Sequence, residues 1–289
     1  MAYITGTATG FQDFLNKIKT NLTSNNWANV KDSVVSNSRE LYFKNTVSNI
    51  VIGFKEVSST DYANLLLNCP LDYSSTYDFY LQPGSCLHQP NNISVGGYKM
   101  PVLSLQNNPI TFWLFVNNNR VIIVCKISGI YVSAYIGKFD QLGTPSQHPN
   151  PVFVGGNAVS ETMLLSDTSS SNNAFLFKDG IAYGPTFKKY NNQWCHVYSG
   201  SSFVDTLGKL YPTANLSSNI SYSSGGLYDL EPIILYDETS CSGELDGVFW
   251  LSGRGQSSEN IITVEGVNYI VFQNIFRTTM KDFYCIKAS

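Results

Sequence analysis

Apolar side chains recur with a helical period near the start of the chain and with a period of two over most of the rest. Phe11, Phe14, Leu15, Ile18 and Leu22 fall at i, i+3, i+4, i+7 and i+11, one stripe on a helix of about four turns. The expected helix covers about residues 9–23. Thr9 and Gln12 stand at capping-box spacing, at which each side chain can satisfy an orphan backbone N–H at the helix start. Asn25-Asn26 should end the helix, with Trp27 packing near its exit. The stripe is expected to dock on the sheet that follows or on a neighbouring subunit.

Beyond Trp27 the pattern predicts strands. Asn49 to Phe54 and Tyr77 to Leu81 read as short ones. Thr111 to Val116 and Val121 to Cys125 flank Asn117-Asn118-Asn119-Arg120, a tight hairpin because Asn tolerates positive φ. Ile130 to Ile136 adds a third strand to this meander. Residues 143–156 then read as a shaped loop, since Pro145, Pro149 and Pro151 fix the backbone and cannot donate to a ladder. Ser166 to Asn173 is the best candidate for a mobile surface segment. Ala174 to Lys178 and Ile181 to Phe187 flank Asp179-Gly180, a type I′ hairpin signal. Gln193–Tyr198, Ile233–Tyr236, Gly247–Ser252, Ile261–Val264, Val267–Gln273 and Phe283–Lys287 complete the strands, with Glu265-Gly266 a turn. The expected fold is mainly β: antiparallel, β-sandwich-like sheets with one N-terminal amphipathic helix. A single domain over residues 1–289 is expected, with residues 157–173 the place for any subdivision.

Composition narrows the function. Charged residues make up 13% of the chain, about half the share usual in soluble domains, against 43% hydrophobic and 13% aromatic. Asn, Ser and Thr fill the polar positions, giving a surface that hydrogen-bonds neighbours without burying charge. The net charge is −3, the pI is about 5.6, and Lys and Arg form no run. No nucleic-acid partner and no membrane insertion are expected. With no basic n-region and apolar h-region after Met1, synthesis in the cytoplasm is expected. The six cysteines have no CxxC spacing, so reduced, buried thiols are the expectation.

Three segments carry a resemblance. Thr5-Gly6-Thr7-Ala8-Thr9-Gly10, leading into the Phe11–Leu22 stripe, resembles the opening of a family of tailed-bacteriophage virion proteins. Ser133–Gly137, followed by Thr144-Pro145-Ser146-Gln147-His148-Pro149, Pro151 and Gly155-Gly156, is similar to that family's central segment. Gly243-Glu244-Leu245-Asp246-Gly247-Val248, Tyr269-Ile270-Val271-Phe272-Gln273 and Phe276-Arg277-Thr278 look like its closing segment. The resemblance implies a non-enzymatic structural component of the tail, neck or baseplate. It would be made in the host bacterial cytoplasm and located in the virion. Its partners would be other copies of itself and other virion proteins. Contact elements are then expected at the helix stripe (Phe11, Phe14, Leu15, Ile18, Leu22) and at Pro145, His148, Pro149 and Pro151.

Candidate chemistry is sparse, and no cofactor is expected. Glu244 and Asp246 are spaced to share one face of a strand, but Gly243 and Gly247 beside them favour a structural turn over acid–base work. His88, His148 and His196 are isolated, without HxH or HxxxH spacing. Cys195 and His196 would point to opposite faces of a strand and cannot form a nucleophile pair. The Thr5–Gly10 segment lacks the Gly-Lys-Ser/Thr of a phosphate loop, and GxSxG is absent. The alternative to a structural role is a receptor-binding module with exposed aromatics near Tyr222 to Tyr228, in contact with the host surface.

Overall fold

A strand buried on one face alternates, whereas a strand covered on both reads as a continuous apolar run. Residues 110–116 (ITFWLFV) and 120–127 (RVIIVCKI) are runs of the second kind, and they lie at the centre of the molecule. The computed structural model describes residues 1–36, 38–86, 101–158, 160–166, 185–190, 192–197, 207–211, 229–236, 240–274 and 283–288.

The elements begin with β1 (Ala2–Ala8), α1 (Phe11–Thr23), β2 (Trp27–Val35), β3 (Ser38–Asn45), β4 (Val51–Ser58), β5 (Ala63–Asn68) and β6 (Val102–Leu103). The meander β7 (Ile110–Val116), β8 (Arg120–Ile127) and β9 (Ile130–Lys138) follows, then β10 (Asp140–Gln141) and β11 (Val152–Gly155). Next come β12 (Thr186–Lys188), β13 (Trp194–Val197), β14 (Leu207–Tyr211) and β15 (Glu231–Tyr236). The last are β16 (Cys241–Trp250), β17 (Ile261–Val264), β18 (Val267–Gln273) and β19 (Phe283–Lys287).

Strands β2-β3-β4-β5-β6 form one antiparallel sheet. The other is 14-stranded, running β1-β7-β8-β9-β11-β12-β13-β14-β15-β16-β19-β18-β17, with β10 beside β16. All its pairings are antiparallel except β13 with β14. Its two ends fold over each other: Trp113 and Phe115 of β7 meet Phe272 of β18 edge to face at 5.3 and 6.2 Å between ring centres. That face, with Ile122, Val124, Tyr135, Leu245 and Tyr284, is one core. The opposite face of β7–β9 packs on α1 and the five-stranded sheet through Phe14, Phe112, Ile123, Phe43 and Leu65. The result is a mainly β, sandwich-like stack of three layers with β7–β9 in the middle.

Several details differ from the sequence expectation. Helix α1 starts at Phe11, not near Thr9, and no capping box forms between Thr9 and Gln12. Instead Asp13 Oδ2 accepts the Thr9 N–H (2.9 Å) and Asn107 Oδ1 accepts the Phe11 N–H (3.0 Å). Gln12 turns away to donate to Glu56 (2.8 Å). Tyr77–Leu81 is not a strand, because Asp78 Oδ1 takes the N–H groups of Tyr80 and Leu81 (2.9 Å each) and Gln82 ties the turn to Ser74 and Tyr77. Val152–Gly155 leaves the proline loop to pair with β9 and β12. The β7–β8 turn forms without positive φ at its asparagines: Asn117 Oδ1 accepts from the N–H of Asn119 and Arg120 (2.8 Å each). The expected Ala174–Lys178 strand, most of Ile181–Phe187 and residues 167–173 lie outside the described residues. Near residues 157–173, Ala158 bridges to Val102 and Leu165 joins the main core.

Candidate functional site

The stripe of α1 packs inward. Phe11, Phe14, Leu15, Ile18 and Leu22 are all at most 2% exposed, with Phe14 5.7 Å from the Phe112 ring. Of the two expected dockings, on the chain's own sheet or on a neighbour, the structure has the first. The apolar face is covered by β1, β2 and β7 of the same chain, so these five side chains are not contact residues in this conformation. The proline loop divides in the same way. Pro145 and Pro149 are exposed, whereas His148 and Pro151 are buried and cannot meet a partner in this conformation.

His148 is held by its surroundings. Its Nε2–H donates to the Lys188 carbonyl (2.9 Å), and its ring packs between Phe139 (5.3 Å) and Tyr190 (4.8 Å). Nδ1 is buried without a partner, so burial depresses the pKa by disfavouring a second ring proton. Lys188 is itself buried, and its ammonium lies 5.2 Å from the Trp194 ring centre. Burial lowers its pKa. All six cysteines are free; five are buried and Cys241 is half-buried. Burial pushes the Cys69 and Cys86 thiols up to about 12, away from nucleophilic thiolate. His88 and Tyr222–Tyr228 lie outside the described residues, as does the His196 side chain.

Glu244 and Asp246 sit in strand β16, not in a turn. Gly243 lies where a Cβ would come within 2.2 Å of the Asp140 carbonyl oxygen, and Gly247 adopts φ +69°. Both glycines serve a close approach and an irregular ladder inside the strand. Asp246 Oδ2 accepts from Arg120 Nε (2.9 Å) and Asn117 Nδ2 (2.7 Å). Asp140 pairs in register with Glu244, and its pKa is raised by burial and then by repulsion from Asp246 and Glu244. Asp246 is thus engaged in a structural tie between the β7–β8 turn and the far layer, while Glu244 stands opposite Asp140 in the ladder.

Other charges are also paired. Asp32 is bound by Arg39 and Lys19, and the Arg39 hydrogen bonds bring its pKa down to about 2. Glu40 lies between Lys31 and Lys55, and Glu259 binds Lys126 (2.7 Å) and Tyr131. Among the described residues, no group of three or more His, Cys, Asp or Glu is placed to hold a metal ion. No described helix is long and apolar enough to cross a membrane.

Two surface features remain. A cleft of about 410 Å³ is lined by Ser59, Thr60, Asp61, Tyr62, Gln106 and Asn107 among others, hydroxyl and amide groups with one carboxylate and one aromatic ring. The second is a difference among the sheet edges. β6 and β17 are edges of two and four residues, and β2 carries Lys31, Asp32 and a register shift between Asn29 and Lys31. β1 has seven residues in unbroken register with β7, from Ala2↔Val116 to Ala8↔Ile110. No charged side chain occurs from Met1 to Gln12.

No protein-family model matches this chain, and no curated protein sequence matches it.

Proposed function

We propose that this chain is a non-enzymatic structural component of a tailed phage particle, acting through interfaces with copies of itself and with other virion proteins in the tail, neck or baseplate. The observation that carries the reading is the neutrality of the surface. Only 13% of residues are charged, and the carboxylates of Asp32, Glu40, Asp246 and Glu259 are bound by cations of the same chain. A surface of Asn, Ser and Thr meets a neighbour without stripping water from unpaired charges. The resemblance of the Thr5–Gly10, Thr144–Pro149 and Gly243–Val248 segments to virion proteins supports the same reading.

One feature favours a second reading, a receptor-binding module. The cleft between Ser59–Tyr62 and Gln106–Asn108 offers amides, hydroxyls, Asp61 and Tyr62, a lining suited to a saccharide. Cryo-electron microscopy of purified particles separates the two. The structural reading expects density for this chain within a symmetric ring of the tail, neck or baseplate. Density confined to the tips of flexible appendages, with binding of the purified protein to host cells, would favour the second.

A further inference from the structure

Exposed strand edges template association, and proteins blunt them with charge, proline, bulges, short length or a covering element. Three described sheet edges carry such a device: β6 and β17 are short, and β2 is bulged and charged. β1 has none. It is seven residues long, flat in register, free of charge and proline, and bonded as a strand to β7 on one side. Tyr3, Thr5 and Thr7 stand exposed at the rim of the face that β1 shares with Trp113 and Phe115, with Tyr3 5.2 Å from the Phe115 ring.

We propose that β1 pairs with β1 of a second copy of this chain, antiparallel, across a two-fold axis at Thr5. The inference deepens the structural-assembly reading and rests on it. The sequence fits such a pairing in detail. Around Thr5, Tyr3 falls opposite Thr7 and Ile4 opposite Gly6, so each large side chain meets a small one on the same face. Ala2 falls opposite Ala8, and Thr5 meets its own copy. Thr–Thr and aromatic–β-branched pairs stabilise neighbouring strands, and with no charged side chain on β1, like charges do not meet. A two-fold contact is self-complementary and closes, so the product is a dimer, not an open fibre. The joined strands extend the 14-stranded sheet across both copies and use the backbone groups along the edge of β1 that no described strand pairs. One seven-residue edge is a small contact beside a standard interface, so the dimer is weak in isolation and gains from further contacts in a ring.

Sedimentation velocity of the full chain up to about 1 mM tests the proposal. The unaltered chain should show a concentration-dependent monomer–dimer equilibrium. Thr5→Lys and Thr5→Glu each place like charges at the axis and should weaken association at least about tenfold. An equimolar mixture of the two should restore it. Circular dichroism and thermal unfolding matching the unaltered chain show that the variants fold. Thr5→Cys gives an independent readout. Directly opposed Cβ atoms come to about 4.5 Å in the closer cross-strand pairs, at the edge of the roughly 3.5–4.5 Å a disulfide spans. A small shift should therefore let mild oxidation yield a covalent dimer, which the native cysteines alone do not give. A strictly monomeric chain, variants that associate unchanged, a mixture that stays monomeric, or rings and filaments in place of dimers would each overturn it. Any of these would leave the structural reading standing if the chain is found in purified particles; its absence from particles would remove that reading whatever the dimer measurement gives.

Discussion

Arg120 has no exposed surface, yet every face of its guanidinium is occupied. Nε bonds Asp246, Nη1 reaches the Phe115 carbonyl at 3.4 Å, Nη2 reaches the Met1 sulfur at 3.3 Å, and the Tyr135 ring lies 6.0 Å away. Two glycines make room for it. A Cβ on Gly247 would lie 2.4 Å from Nη2, and one on Gly137 2.6 Å from the Arg120 Cα. Removing one partner of such a pair leaves the other charge without its ion, so Arg120→Ala should cost about 3–5 kcal/mol in chemical denaturation. Arg120→Met with Asp246→Asn should cost less than the sum of the single changes, a coupling of about 1–3 kcal/mol. Strict additivity would show that the tie contributes nothing. His148 makes a pH prediction. Its folded pKa lies below the ordinary 6.5, so the unfolded chain binds the extra proton more readily. The contribution is present above about pH 6.5 and is lost as pH falls through the folded value. His148→Gln should flatten the loss of stability between about pH 6.5 and 5, seen as urea midpoints. A variant with an unchanged pH slope would contradict this. None of these roles was legible in the chain. Arg120 stands next to an Asn run and reads as part of a turn, while its partner lies 126 positions away.

At the scale of elements, legibility followed local physics. The α1 stripe was readable because five apolar positions share one helical face, and all five are buried. The β7–β8–β9 meander was readable from apolar density, and the Glu265-Gly266 turn has φ of +52° and +80°, as a type I′ turn requires. β1, β2, β3, β5 and β14 have no counterpart in the expected strands, nor do the two-residue β6 and β10. Thr and Gly dilute the apolar signal of β1, and charges interrupt β2 and β3. For β1 the strand state comes from β7, more than a hundred positions along the chain, which no local window contains. β2, β3 and β5 gain theirs from pairing with neighbouring strands, which a strand's own composition does not reveal. The helix start is a similar case. Its first free N–H is satisfied by Asn107, 96 positions away, and Gly10 lets that side chain approach to within 2.8 Å of where a Cβ would sit. Asn107→Ala should therefore destabilise the protein by about 1 kcal/mol, the usual loss on removing a helix cap. An unchanged thermal midpoint would show that water replaces the cap.

For the whole molecule, layering and charge economy point the same way. The middle layer β7–β9 is covered on both faces, by α1 and the five-stranded sheet on one side and by β15–β19 on the other. Both faces of that layer are therefore committed within the chain, and new partners are left with edges and rims. The expected contact residues Phe11, Phe14, Leu15, Ile18 and Leu22 are consumed by this layering. Period and composition could reveal that a helix face is apolar, but not which surface covers it. Of the carboxylates that suggested chemistry, Asp246 is likewise part of a tie between layers, and only the fold brings Arg120 and Asn117 to it. What remains outward is largely neutral, with β1 as its unblunted edge.

The most direct test of the proposed virion role is cryo-electron microscopy of particles purified from a lysate in which this chain is produced. The account predicts density for the three-layer β body in repeated copies within a symmetric ring of the tail, neck or baseplate. Particles that lack this chain altogether would contradict it.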